Sequence, residues 1–260
     1  MAQQPRPSGR LPQPEKRTRA DYQGSTVAPY TRFRPEREFY TFIEGGTYTA
    51  DIWGCPWRCD RCWSHFGQAH GPVVYECTPQ LVVDKFLAGM TRNAMAGSRI
   101  SGGDVGYWWE HTRQVVDEFL NRTRGKRLKI SRRRTKAMLL LLETSGGIRI
   151  TPEQLTDIEQ MHGEHAANLV LSIGMKATNP ELLGKLTGLP PAAARAAHER
   201  QLKLVRAAMA LEHVEVLVSF LGPYTVEEEY EQIRSDLMEI RAEAQDTVTV
   251  LRFRNYNRNQ

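Results

Sequence analysis

Ala137-Met138-Leu139-Leu140-Leu141-Leu142 is a run of six apolar residues with no polar alternation. A strand with one wet face alternates; a strand without alternation is covered on both faces, and such strands belong to parallel sheets flanked by helices. The rest of the chain follows that plan. Thr78-Pro79 is a helix cap followed by Pro at the first helical position, and Leu81, Val82, Phe86, Leu87 and Met90 then recur at helical spacing. Thr151-Pro152 repeats the signal. Strands are expected at Thr47–Trp53, Ser98–Ser101, Leu169–Ile173, Val214–Phe220 and Val248–Phe253. Helices are expected at about 109–123, 152–161, 191–211 and 226–244. Counted from Thr47, this makes six strand–helix units, short of the eight that close the familiar barrel. The expected fold class is α/β: an open, partial (β/α)6 barrel around a parallel sheet.

Charge divides the chain. Residues 1–37 hold eight Lys/Arg and three Asp/Glu, which is the whole formal charge of +5, and residues 38–260 are balanced. The first segment is rich in Pro, Gln, Arg and Ser and has little apolar surface to bury, so 1–37 is expected to be a flexible basic tail, with 38–260 the core domain. Removal of residues 1–30 is therefore expected to leave the fold intact. Glu38–Ile43 is expected to pair with Thr47–Trp53 across a turn at Gly45-Gly46. No run approaches the ~18 apolar residues of a membrane helix, and the start has no apolar signal core. With no even disulfide set, the chain is expected in a reducing, cytoplasmic setting.

Three of the four cysteines, Cys55, Cys59 and Cys62, fall within eight residues as C-x3-C-x2-C, immediately after the first strand of the six. Thiols so spaced hold a metal centre. Two kinds are open on the residues alone. A zinc knuckle can be drawn from the triplet with His65, His70 or Cys77, although its spacing differs from the usual paired C-x2-C elements. Three thiolates on a four-iron cluster leave one iron for a substrate or cofactor.

The triplet resembles the cluster motif of the radical S-adenosylmethionine (SAM) superfamily, and later strand ends extend the resemblance. Gly102-Gly103-Asp104 resembles the Gly-Gly-Glu motif that holds the methionyl amino group, with Asp in place of Glu. Glu143-Thr144-Ser145-Gly146 is similar to the Glu/Asp-Thr-Asn-Gly turn of glycyl-radical enzyme activating proteins. Ser172 to Lys176, Asn179-Pro180-Glu181 and Leu186-Thr187-Gly188 resemble a later stretch of the same group. The resemblance spans about residues 47–253. It implies a barrel of the radical SAM type, a 4Fe-4S cluster on Cys55, Cys59 and Cys62, and SAM held by Gly102, Gly103, Asp104, Thr144, Ser145, Ser172 and Lys176. Trp63, or Trp57 or Arg61, would lie against the adenine, because the aromatic usual before the third cysteine is here Arg61. Asp104→Glu is expected to be tolerated. An electron donor such as flavodoxin or ferredoxin and a large substrate, protein before RNA, are implied with it. Cys62-Trp63 also resembles the wyosine-forming tRNA enzymes over a few residues.

From Arg122 to Lys136 there are nine Lys/Arg and no acid. Such a run reads as a solvated loop at the amino-terminal end of the sheet, or as a contact for RNA or an acidic partner. His111, His162, His198 and His213 fall within helix and strand patterns and read as structural.

Overall fold

The computed structural model describes residues 27–37, 42–55, 57, 59, 62, 75–131, 134–146 and 150–251. In chain order the elements are β1 (Ala28–Glu36), β2 (Thr47–Ile52), β3 (Tyr75–Cys77), α1 (Pro79–Asn93), β4 (Gly97–Gly102), α2 (Trp109–Thr123), β5 (Arg127–Ser131), β6 (Arg134–Ala137) and β7 (Leu139–Thr144). They continue as α3 (Pro152–His162), β8 (Leu169–Lys176), α4 (Pro180–Thr187), α5 (Pro191–Met209), β9 (Glu215–Leu221), α6 (Glu227–Ile240), α7 (Ala244–Thr247) and β10 (Val248–Leu251). Eight strands form one sheet in the order β10-β9-β8-β7-β4-β2-β1-β3. The six from β2 to β10 are mutually parallel. The sheet ends at two edges, so it is open, as six units require.

The caps act as the sequence predicts. The Thr78 hydroxyl accepts from Leu81 N at the start of α1, and Thr151 with Gln154 forms a reciprocal capping box on α3. Alternate strand residues Ala50, Ile52, Ile100, Leu140, Leu142, Leu171, Ile173, Val216, Val218 and Phe220 share one core with Phe86, Val115, Phe119, Leu155, Val205 and Leu237 from the helices. The opposite face carries a small apolar floor of Leu141 and Val170 with Ile43 and Ala96. Arg99, Ser101, Asp51 and Glu143 also fall on that helix-free face, since Thr49 pairs with Arg99, Asp51 with Ser101, and Arg99 with Leu141 two residues before Glu143.

Four expectations change. Residues 28–36 are not tail: they form β1, which pairs antiparallel with both β2 and β3. Tyr30 is fully buried, and its hydroxyl bonds His111 Nε2 at 3.0 Å. Removing residues 1–30 would delete that anchor. The partner of β2 is therefore Ala28–Glu36 rather than Glu38–Ile43; Phe42 and Ile43 lead into the Gly45-Gly46 turn, both glycines having positive φ, and Glu38–Thr41 lie outside the described residues. Finally, the basic run is not a loop but the two-stranded β5–β6 ribbon, and the apolar run divides at Met138 between β6 and β7. Among the described residues no helix is long and apolar enough to cross a membrane.

Candidate functional site

Four parallel strands, β2, β4, β7 and β8, lie side by side, so their carboxyl ends bring together segments that are far apart in sequence. After β2 comes the cysteine loop. Cys55, Cys59 and Cys62 are half-buried and outside any disulfide, and Cys62 N donates to Cys59 O at 3.1 Å. Burial, and then the negative charge of Asp104, push the Cys55 thiol well up. Burial also raises Cys59, and there the Lys176 ammonium works in the opposite direction. Asp104, after β4, and Lys176, at the end of β8, thus act on both thiols, and Cys59 acts on Cys55 and Cys62 on Cys59. Among the described residues no three His, Cys, Asp or Glu side chains are already gathered as a closed metal-ligand set. The donor set suits a thiophilic metal centre: three thiols on one loop, none of them in a disulfide.

After β4 the chain turns through Gly102 (φ +90°), where a Cβ would meet Asp51 Cβ at 2.8 Å. At Gly103 a Cβ would meet Gly54 O at 2.3 Å, so only glycine lets the two strand ends approach this closely. Gly103 N donates to Ile52 O (2.8 Å) and Asp104 N to Gly54 O (3.0 Å), which pins this turn to the segment entering the cysteine loop.

Asp104 has a role its motif does not announce. Its carboxylate is 2% exposed. Oδ1 accepts from Gly106 N (2.8 Å) and Thr144 Oγ1 (2.9 Å); Oδ2 accepts from Ser145 N (2.8 Å) and from the Ser145 hydroxyl. A carboxylate offers about four lone-pair positions, and all four are occupied by protein donors. Asp104, Thr144 and Ser145, each expected to face SAM, therefore bond one another and clamp the end of β4 to the end of β7. Thr144 Oγ1 also accepts from Gly146 N at 3.0 Å.

Two further clamps escaped the sequence reading. Gln201, fully buried on α5, donates through Nε2 to Ser145 O and to Met175 O (3.3 Å), tying β7 to β8. Glu229 on α6 accepts from Thr178 Oγ1 (2.7 Å) and Asn179 Nδ2 (2.8 Å), fixing the loop after β8, while Asn179 Oδ1 caps α4 through Leu182 N (2.9 Å). No motif marks either residue.

Lys176 ends β8 at a register shift, in a left-handed conformation with φ +70°. A Cβ placed on Gly174 would meet its Nζ at 3.4 Å, so the ammonium lies over Gly174, close to the cysteine loop. Ser172 is half-buried two residues before Gly174, on the helix-free face and paired across from Glu143. That face is polar just below the strand ends. Ser101 donates to Glu143, whose other oxygen lies 3.8 Å from Arg99 Nη1, and buried Asp51 accepts from Arg32 and Arg34. The signal for these was present: Arg99 and Asp51 are charges at alternate positions of buried strands.

Trp57 does not stand open beside the site. It is 5% exposed and packs with Ala177, Leu183 and Ala197. Trp63, Arg61, His65 and His70 lie outside the described residues. Cys77 is fully buried in β3, its thiol pushed up to about 11 by burial, which suits a structural cysteine.

No family model matches the chain, and no curated protein matches it. Several solved structures are similar. TsrM from Kitasatospora setae, a radical S-adenosylmethionine methyltransferase with cobalamin and a 4Fe-4S cluster bound, shares 16% identity over 80% of this chain and 37% of its own, with a TM-score of 0.48. TYW1 with a lysine-pyruvate adduct bound shares 13% over 79% of this chain and 64% of its own, at 0.46. QueE from Escherichia coli shares 12% over 89% of this chain and 97% of its own, at 0.38. The chain spans 37% and 64% of the length of the first two.

Proposed function

We propose that this chain is a radical SAM enzyme. The observation that carries the reading is that one end of the parallel sheet holds the three-cysteine loop after β2, the Gly-Gly turn after β4 pressed against that loop, and the Lys176 ammonium at the end of β8. Cys55, Cys59 and Cys62 would hold a 4Fe-4S cluster, and three thiolates on four irons would leave one iron open. Such a centre, when bound, supplies the electron that cleaves SAM to methionine and a 5′-deoxyadenosyl radical, which takes hydrogen from the substrate.

This chain's residues orient and enclose. The half-buried Gly102-Gly103 turn offers backbone carbonyls to an ammonium group. Lys176 offers a cation to the methionyl carboxylate, and its left-handed backbone turns it toward the thiols. Asp104, with Thr144 and Ser145, is a positioning residue that fixes where the Gly-Gly turn stands. Ser172 and the polar residues below it line the face toward which a substrate would approach. An open sheet leaves room for a large substrate. A glycyl-radical enzyme is the protein substrate favoured by the motif resemblance, with flavodoxin or ferredoxin as electron donor in a cytoplasmic setting. RNA is the alternative.

Anaerobic reconstitution should load about four irons and four sulfides per chain. The Cys55→Ala/Cys59→Ala/Cys62→Ala variant should lose them and Cys77→Ala should keep them. Dithionite and SAM should then yield 5′-deoxyadenosine. Stoichiometric zinc, with no uptake of iron, would sink the reading and favour a zinc-stabilised binding module.

A further inference from the structure

We propose that the β5–β6 ribbon is a docking surface for double-helical RNA. The ribbon is anchored: Leu128 packs against the main core and Ile130 against the apolar floor of the helix-free face. With those two turned inward, Arg127, Lys129 and Ser131 point outward, with exposed Thr135 paired across from Lys129. Successive outward residues on one strand stand about 6.8 Å apart, two strand rises, so the ribbon holds its cations in a fixed row.

Charge accounting narrows the partner. Arg122 pairs with Asp84 and Glu118, and Arg134 and Lys136 share Glu44. Arg124, Lys126, Arg127 and Lys129 are exposed and make no ion pair among the described residues. The adjoining depression is lined by Arg124 itself with His162, Glu164 and His165. His162 bonds Asp117 at 3.0 Å and His165 the Leu120 carbonyl at 2.7 Å. Four uncompensated cations, Arg127 and Lys129 on the ribbon and Arg124 and Lys126 in the turn that enters it, call for a polyanion.

Three observations favour RNA duplex over the other polyanions. The outward face carries no aromatic or large apolar residue, so it lacks the anchors on which protein interfaces depend. It also lacks the stacking platforms that hold single strands. Because its inner side is packed on the body, the ribbon cannot enter a DNA major groove; it can lie along phosphates, and an RNA duplex is recognised by shape and backbone. An electron donor is a poor occupant, because the ribbon joins α2 to the start of β7 and so stands at the opposite end of the strands from the cysteine loop. The proposal therefore stands whether or not that loop carries a cluster.

The test measures binding of the full-length chain to an RNA duplex of about 20 base pairs, a DNA duplex and a single strand of the same length, and polyglutamate. Four phosphate contacts predict a log–log salt slope near −3.6, or about a hundredfold loss of RNA affinity between ~50 and ~200 mM salt. Lys126→Glu/Lys129→Glu should leave the melting temperature unchanged and bring the slope below two in magnitude. Lys126→Arg/Lys129→Arg should bind like the parent. The proposal is overturned if the charge-reversed variant, shown to be folded, binds RNA like the parent. It is equally overturned if RNA duplex is not bound at ~50 mM salt, or if the DNA duplex, the single strand or polyglutamate binds as well as it does.

Discussion

Ala94 and Lys176 are the two described non-glycine residues with left-handed backbone, at φ +52° and +70°, and they stand at opposite ends of the parallel strands. Ala94 closes α1 just before β4 begins; its N–H reaches back to Met90 O and Thr91 O, and Met95 N donates to Met90 O at 3.0 Å. There the conformation serves the backbone alone, ending a helix in the way glycine usually does. Lys176 closes β8 at the other end, where a side chain lies among thiols, turns and clamps. The same conformational cost, about 1–2 kcal/mol for an L-residue, ends a helix in one place and aims a cation in the other. Residues held against their preferred backbone mark function only where something nearby uses the side chain.

The largest expected effect falls on the clamp that makes the carboxyl end rigid. Asp104→Asn replaces an acceptor by an NH2 group facing donors, leaving one or two of the four bonds unmade. Hydrogen bonds to a charged acceptor contribute about 1.5–3 kcal/mol each, so the unliganded protein should lose about 2–3 kcal/mol, roughly 5–10 °C in melting temperature. Weaker SAM binding should accompany that loss, because the Gly-Gly turn is no longer held. Asp104→Glu, tolerated on the motif resemblance, should lose about as much, since an added methylene overpacks a 2% exposed site. An Asn variant with parental stability and impaired SAM binding would show that Asp104 meets the ligand directly, and the contrast between the two ends would weaken.

Particular residues show where sequence reasoning holds and where it stops. Helix starts were legible because Thr78-Pro79 and Thr151-Pro152 act on backbone groups within three residues. The parallel sheet was legible because burial on both faces leaves no alternation. Asp104 was legible as a strand-end residue, but its donors at Thr144 and Ser145 are about 40 positions away, and nothing in one sequence reveals that they satisfy one another. The first strand was missed for a related reason. Arg32 and Arg34 made Ala28–Glu36 look like a solvated tail, yet both guanidiniums turn onto buried Asp51. Gln201 and Glu229 lie on helices whose patterns record only which side is apolar, so their contacts with strand ends left no trace.

A smaller effect separates cation from backbone at Lys176. Lys176→Met keeps the stem and removes the charge. If the ammonium meets the methionyl carboxylate, SAM affinity should fall about tenfold, or ~1.4 kcal/mol, with cluster content unchanged. Equal affinity in the two proteins would mean that Lys176 only tunes the thiols electrostatically. Lys176→Gly should lose the same affinity while becoming slightly more stable, so that binding and stability move in opposite directions.

The smallest effect belongs to Ala94→Gly, which supplies the control for that pair. Relief of the left-handed backbone should contribute about 1–2 kcal/mol, and the greater freedom of glycine in the unfolded chain should offset about 0.4–1 kcal/mol of it. The net gain is then about 0.5–1 kcal/mol, a rise of roughly 1–4 °C in melting temperature. The cap bonds are made by backbone atoms and survive the change. Gly45 packs beneath the Ala94 carbonyl, where its own Cβ would come within 2.4 Å, so the β1–β2 turn is not disturbed either. SAM affinity should be unchanged, because Ala94 stands at the far end of the strands. If Ala94→Gly and Lys176→Gly raise stability alike and only the second weakens SAM, the lysine is held in its strained conformation for its charge. If Ala94→Gly also alters SAM binding, strain at the amino end is coupled to the site, and the two ends cannot be treated as independent.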